Sequence, residues 1–103
     1  MNSIIKIFRG DSTTLTETIS GLTSLSGYSA KLYIMTLAGV ELDTIEGSIA
    51  ALVITYEIVN ESSKAYAVGK YNFESKLFDT SDHVYTSSYG EFVVNATLEE
   101  DPV

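Results

Sequence analysis

Apolar and polar positions alternate along most of this chain in short segments of period two. Ser3 to Phe8 is an apolar run that stops at Arg9-Gly10-Asp11-Ser12, a turn-forming cluster. In Thr13 to Ile19, Leu15 and Ile19 share one face and Thr14, Thr16 and Thr18 the other, which predicts a half-exposed strand. Ser20-Gly21 and Ser26-Gly27 bracket a loop whose Leu22 and Leu25 are expected to fold back over the end of the domain. Ala30, Leu32 and Ile34 alternate with Ser29, Lys31 and Tyr33 in a third strand, and Val40 to Ile45 alternate again. Breaks are expected at Ala38-Gly39 and at Glu46-Gly47.

The stretch from Ser48 to Ile58 reads two ways. Ile49 to Val53 could open a helical turn, whereas β-branched Val53, Ile54 and Thr55 make its second half a strand. Asn60 to Ser63 is a polar connector leading into a helical turn around Lys64 to Val68. Gly69 to Phe78 is the clearest strand, with Tyr71, Phe73, Ser75 and Leu77 on one face and Lys70, Asn72, Glu74 and Lys76 on the other. Asp79 to Asp82 predicts a hairpin turn, His83 to Ser87 a short return strand, and Ser88-Tyr89-Gly90 a second break. Phe92, Val94, Ala96 and Leu98 alternate in a final strand. One domain is expected over residues 1–98, followed by an acidic, fraying tail over 99–103.

Composition agrees with an all-β chain. Ser and Thr supply 24 of 103 residues and Tyr and Phe another 11, with one proline and no tryptophan. Such residues suit pleated, half-buried surfaces better than helices. Seven or eight short strands with turns every 8–12 residues describe an antiparallel β-sandwich of about 100 residues. Gly69-Lys70-Tyr71-Asn72-Phe73 is similar to the tyrosine corner of immunoglobulin domains, with Phe73 where antibody domains carry cysteine. The expected fold is therefore an immunoglobulin-like β-sandwich.

Charge and chemistry narrow the function classes. The net charge is −8, and the six cations Lys6, Arg9, Lys31, Lys64, Lys70 and Lys76 are scattered singly. That field disfavours nucleic acid and anionic membrane as partners. No cysteine is present, so disulfides, thiol nucleophiles, zinc ribbons and iron–sulfur sites are excluded. The single histidine, His83, falls on a hairpin tip and has no surrounding catalytic motif, so no catalytic residue is assigned. No phosphate-cradling glycine motif occurs, and no cofactor is expected. Asp79-Thr80-Ser81-Asp82 lacks the spacing of a calcium loop and reads as a solvated turn, so no metal site is assigned. Arg9-Gly10-Asp11 spells an integrin-binding tripeptide but reads as a turn between the first two strands. The sequons at Asn60 and Asn95 read as incidental, the second because it lies within a predicted strand.

The strand ends carry a resemblance. Ile7 to Ser12 with the Thr/Leu alternation after it, and Leu25 to Ile34, resemble the opening of tailed-phage virion modules. The likeness is to the N-terminal β-sandwich of baseplate upper proteins and tail or fibre-attachment proteins. Val68 to Leu77 and Tyr89 to Val94 resemble that family's closing pattern, a Gly-x-Tyr strand paired through a hairpin with a Gly-x-aromatic-x-Val strand. Residues 46–67 depart from the pattern, and Ala67-Val68 stand where the family carries a turn and a proline. The resemblance implies a non-enzymatic virion structural protein, a tail, neck or baseplate adaptor. It would contact other virion proteins, form a homo-oligomer and reside in the virion. Tyr33, Tyr85 and Tyr89 are the candidate contact residues, rigid amphipathic side chains expected on the surface. The rival reading is a carbohydrate- or receptor-binding sandwich using loop aromatics such as Tyr28, Tyr66 and Tyr89. An enzyme ranks third for want of a catalytic constellation.

Overall fold

A computed structural model describes residues 2–81 and 83–96. Seven strands and one helical turn follow in the order β1 (Asn2–Phe8), β2 (Thr13–Thr18), β3 (Ser29–Thr36), β4 (Glu41–Ala50), β5 (Val53–Ile58), α1 (Asn60–Lys64), β6 (Gly69–Phe78) and β7 (Val84–Asn95). They form one hydrogen-bonded ribbon in the order β1-β7-β6-β3-β4-β5-β2, antiparallel except for the β1–β7 pair. The ribbon folds over itself at β4, giving an immunoglobulin-like sandwich. Its larger layer is β1-β7-β6-β3 with the first half of β4, and its smaller layer is the end of β4 with β5 and β2.

Strand β4 is the hinge of that architecture, and it corrects the break expected at Glu46-Gly47. Residues up to Gly47 pair with β3, and residues from Gly47 onward pair with β5. Gly47 lies opposite Ala30 in one layer and Tyr56 in the other. A Cβ at Gly47 would sit 2.7 Å from Tyr56 Cε1 and 2.9 Å from Ile54 Cγ2. Glycine is there for close approach of a ring, and the strand runs through it. The helical turn weighed for Ile49 to Val53 is instead a tight hairpin. Ala50 pairs with Val53 across Ala51 and Leu52, and Ala51 takes φ +54°, a conformation that costs a residue with a Cβ about 1 kcal/mol.

Two further expectations shift. The break at Ser88 to Gly90 is absent, because β7 runs unbroken from Val84 to Asn95. The helical turn comes earlier than Lys64 to Val68, at Asn60–Lys64. Leu25 folds into the core as expected, whereas Leu22 remains exposed. Residues 97–98 of the final strand and the tail 99–103 lie outside the described residues.

The core follows the alternation. Tyr71, Phe73, Ser75 and Leu77 of β6 are buried together with Leu32 and Ile34 of β3, Ile54, Tyr56 and Ile58 of β5, and Phe92 and Val94 of β7. Tyr71 completes the tyrosine corner, its hydroxyl donating to the Ala67 carbonyl at 2.7 Å. Tyr71→Phe keeps the ring and leaves that carbonyl short of a donor. A loss of about 1–2 kcal/mol in urea unfolding is expected, and an unchanged midpoint would show that the corner bond carries no stability.

The Arg9-Gly10-Asp11 tripeptide is fastened down as a turn. Gly10 (φ +89°) donates its amide to Ser63 Oγ at 2.9 Å, Ser63 Oγ donates to the Asp11 carbonyl at 2.8 Å, and Arg9 Nε donates to the Tyr66 carbonyl at 3.1 Å. Ser63 is fully buried, so α1 and the first turn lock one end of the sandwich together.

Candidate functional site

Two surfaces concentrate the polar chemistry of this molecule: the outer face of the larger layer, and a cleft between the layers. On the outer face, cross-strand register lines Thr44, Tyr33, Glu74 and Tyr89 into one row over β4, β3, β6 and β7. Glu74 sits between the two tyrosines, with Lys76 Nζ 3.5 Å from its carboxylate. The next row carries Met35, Asn72, Glu91 and Ile4. Tyr89, Ile4 and Phe8 are all strongly exposed, so the β1–β7 side of this face offers apolar area next to acidic groups.

Tyr85, the third candidate contact tyrosine, is exposed but lies on the opposite face from Tyr89. It pairs with Leu77, whose side chain is in the core, whereas Tyr89 pairs with outward-facing Glu74. Spacing alone would put residues four apart on one side of a strand. A β-bulge cancels that parity: Ser75 pairs with Ser88 and Lys76 with Thr86, which leaves Ser87 as the extra residue. Tyr85 therefore hangs over the cleft, half exposed, with its hydroxyl 3.4 Å from Asp79 Oδ2. Burial, and then the Asp79 charge, raise its pKa.

The cleft has a volume of about 780 Å3 and opens along β2. Its second wall comes from β7 and β1, and its floor from the core. Among the described residues, Glu17 is the only carboxylate, and the only Asp, Glu, Lys or Arg, that lines it. The bulge at Ser87 aims that hydroxyl inward, 3.1 Å from Glu17 Oε1 and 3.0 Å from Ser75 Oγ, and Ser75 Oγ lies 2.7 Å from the Tyr56 hydroxyl. One proton assignment satisfies the whole chain: Tyr56 donates to Ser75, Ser75 to Ser87, and Ser87 to the Glu17 carboxylate. The relay ties both layers together, since Glu17 and Tyr56 come from the smaller layer and Ser75 and Ser87 from the larger.

Burial pushes the Tyr56 phenol up to about 12; the Ser75 hydroxyl opposes that shift and the Glu17 charge adds to it. Tyr66 is raised further, by burial first and then by its 2.6 Å hydrogen bond to Asp43 Oδ2 and that carboxylate's charge. Both phenols are held neutral by the fold, with folded pKa values above the ordinary 10.0. Stability is therefore full below pH 10 and declines as the pH rises through the folded values. Melting temperature should hold level to pH 9 and fall between pH 10 and 12, with about 1–2 kcal/mol from Tyr56 after allowance for solvent screening. Tyr56→Phe should flatten the decline, as read by tyrosinate absorbance and thermal melts; a curve identical to that of the parent protein would refute this.

His83 lies at the hairpin tip as expected, two-thirds exposed, with Nδ1 3.1 Å from Asp79 Oδ2. The backbone amides of His83 and Ser81 donate to Asp79 Oδ1, and the His83 bond is the main reason that this carboxyl titrates below its ordinary range. His83 is not among the residues that line the cleft. Among the described residues, no cluster of His, Cys, Asp and Glu suits a metal ion. No described helix is long and apolar enough to cross a membrane.

The loop aromatics considered for sugar binding do not converge. Tyr66 is buried, its ring edge-on to Phe92 at 6.3 Å, Tyr28 packs partly against the core, and Tyr89 lies on the outer face. Alternation reasoning missed Glu17 and Ser75 as a site, although the signal was there: both share parity with apolar neighbours, Leu15 and Ile19 for one, Phe73 and Leu77 for the other. A polar residue on the inward side of a strand needs a partner inside.

No family model and no curated protein matches the sequence. Solved structures do match in shape. CopC from Methylosinus trichosporium OB3b superposes with a TM-score of 0.56 at 14% identity, over 96% of this chain and 90% of that one. The fibronectin(III)-like modules of Clostridium thermocellum CbhA give 0.55 at 13% identity, over 94% and 92%. A putative glycoside hydrolase from Bacteroides vulgatus gives 0.57 at 10% identity, over 92% of this chain and 17% of that much longer one. At these identities the likeness establishes the fold: all-β, immunoglobulin-like.

Proposed function

We propose that this chain is a non-enzymatic structural protein of a tailed-phage virion, a tail, neck or baseplate adaptor working through protein–protein contacts. The sequence resemblance supplies the virion context. Supporting it, Gly69-x-Tyr71 of β6 and Gly90-x-Phe92-x-Val94 of β7 form the hairpin pair that the resemblance implies, with Tyr71 opposite Phe92. The observation that carries the contact role is the outer-face row Tyr33–Glu74–Tyr89 with exposed Ile4 next to Tyr89. Rigid tyrosines flanking a carboxylate, next to exposed aliphatic area, form a contact surface that loses little side-chain entropy on docking.

Light scattering on size-exclusion fractions tests the homo-oligomer. Self-association at micromolar concentration is expected, and the double change Tyr33→Ser with Tyr89→Ser should abolish it while leaving the melting temperature within a few degrees. A strict monomer that binds one sugar class on a glycan array would overturn the proposal in favour of the carbohydrate-binding reading.

A further inference from the structure

The inter-layer cleft is a second site, separate from the outer face. Strand β2 ends the smaller layer, and its backbone geometry can be read from one bond. The Ile19 amide donates to the Leu52 carbonyl at 2.8 Å, so that opposed pair is a hydrogen-bonded one. Pairs alternate along an antiparallel ladder, so Thr13, Leu15 and Glu17 also face β5 with their backbone groups. The amides and carbonyls of Thr14, Thr16 and Thr18 point the other way, and β2 has no strand on that side among the described residues.

Edges of this kind are normally protected by lysine, proline or a bulge. β2 has none of these; its guard is the inward-pointing charge of Glu17, which turns away a strand that brings no cation to meet it. The cleft runs beside that edge, and consecutive positions from Thr14 to Leu22 form one wall. A wall of nine consecutive residues makes a slot of strand length rather than a compact pocket. Its inner lining combines apolar Ile5, Leu15, Ile19 and Leu32 with Ser88 and the hydroxyl relay, which ends on the Glu17 carboxylate.

We propose that the cleft accepts an extended protein segment, which pairs with β2 through the backbone groups of Thr14, Thr16 and Thr18 and sets a lysine or arginine against Glu17 between apolar neighbours. Backbone pairing supplies affinity and the alternate inward side chains supply selectivity. Charge decides the inward pattern. Glu17 is half-buried with a single serine hydroxyl on it, no cation among the described residues lines the slot, and the chain as a whole carries −8. An inward cation on the incoming strand meets an unneutralised carboxylate in a partly desolvated site, where ion pairing is stronger than at the open surface.

The probe is a capped nonapeptide that alternates threonine and valine and carries lysine at its central inward position. Binding to the isotope-labelled protein is followed by amide chemical shifts and hydrogen exchange. The amides of Thr14, Thr16 and Thr18 should gain protection, while those of Leu15 and Glu17, already bonded to β5, should change little. Replacing the lysine by norleucine, or making Glu17→Gln in the protein, should weaken binding roughly five- to tenfold. N-methylation of the peptide's alternate edge-facing amides should abolish it without touching the protein. Shifts confined to Tyr33 and Tyr89, no binding at millimolar peptide, affinity indifferent to N-methylation, or equal affinity for n-octylamine would each overturn the proposal.

Discussion

Phe92→Ala is expected to cost about 3–5 kcal/mol, the largest loss among the substitutions considered for this fold. The ring is fully buried near the C-terminal end of β7, opposite Tyr71 and edge-on to Tyr66 at 6.3 Å and 76°. Removing it deletes an aromatic pair and leaves a cavity whose walls are the two layers themselves. Those layers are held apart by neighbours such as Tyr56 and Ile34, so the gap cannot close cheaply. Domains of this size have about 5–15 kcal/mol of stability in all, so the variant should show a sharply lowered urea midpoint. Tyr89→Ala is the control: three residues away on the same strand but half exposed on the outer face, it should stay within about 0.5 kcal/mol. Equal losses at the two positions would mean that the faces of β7 have been assigned the wrong way round.

Gly47→Ala is expected to cost about 2–3 kcal/mol through overpacking. The new methyl group would meet the Tyr56 ring at 2.7 Å and Ile54 at 2.9 Å, well inside contact distance. Neither neighbour can swing away. Tyr56 is buried and its hydroxyl is bound to Ser75, and Ile54 is a fully buried branched side chain. Because Gly47 pairs with both layers, the strain falls on the point where β4 crosses from one to the other. A double-mutant cycle with Tyr56→Leu, measured by urea unfolding, should recover about 1 kcal/mol of the expected sum. Strict additivity would show that the ring is not what the methyl group strikes.

The two substitutions differ in how far the sequence foretells them. Phe92 was legible: it alternates with Val94 beyond a glycine, and the structure buries both. At Gly47 and Gly90 the pattern predicts breaks, because glycine usually punctuates strands, yet both lie inside strands. At Gly47 the missing side chain makes room for a ring contributed by Tyr56, nine residues further along the chain, and local pattern contains no term for such a neighbour. The face that Tyr85 takes is hidden from the pattern for a related reason. Its parity with Tyr89 is broken by an extra residue at Ser87, and the bulge exists only once β6 is paired alongside.

The candidate cleft was half legible. Alternation alone sets Glu17 with Leu15 and Ile19, and Ser75 with Phe73 and Leu77, so two polar groups were marked as inward from the start. That they meet through Ser87 and Tyr56 could not be read, since the four residues come from four different strands.

Side-chain alternation is a steric property of the extended backbone, so pattern alone suffices for the all-β class and for most strands and their inward faces. Partner choice is a property of the closed structure. Only the tertiary fold decided where β4 changes layers, which face Tyr85 joins and which strand edge is left open, because each depends on residues distant along the chain arriving at one place.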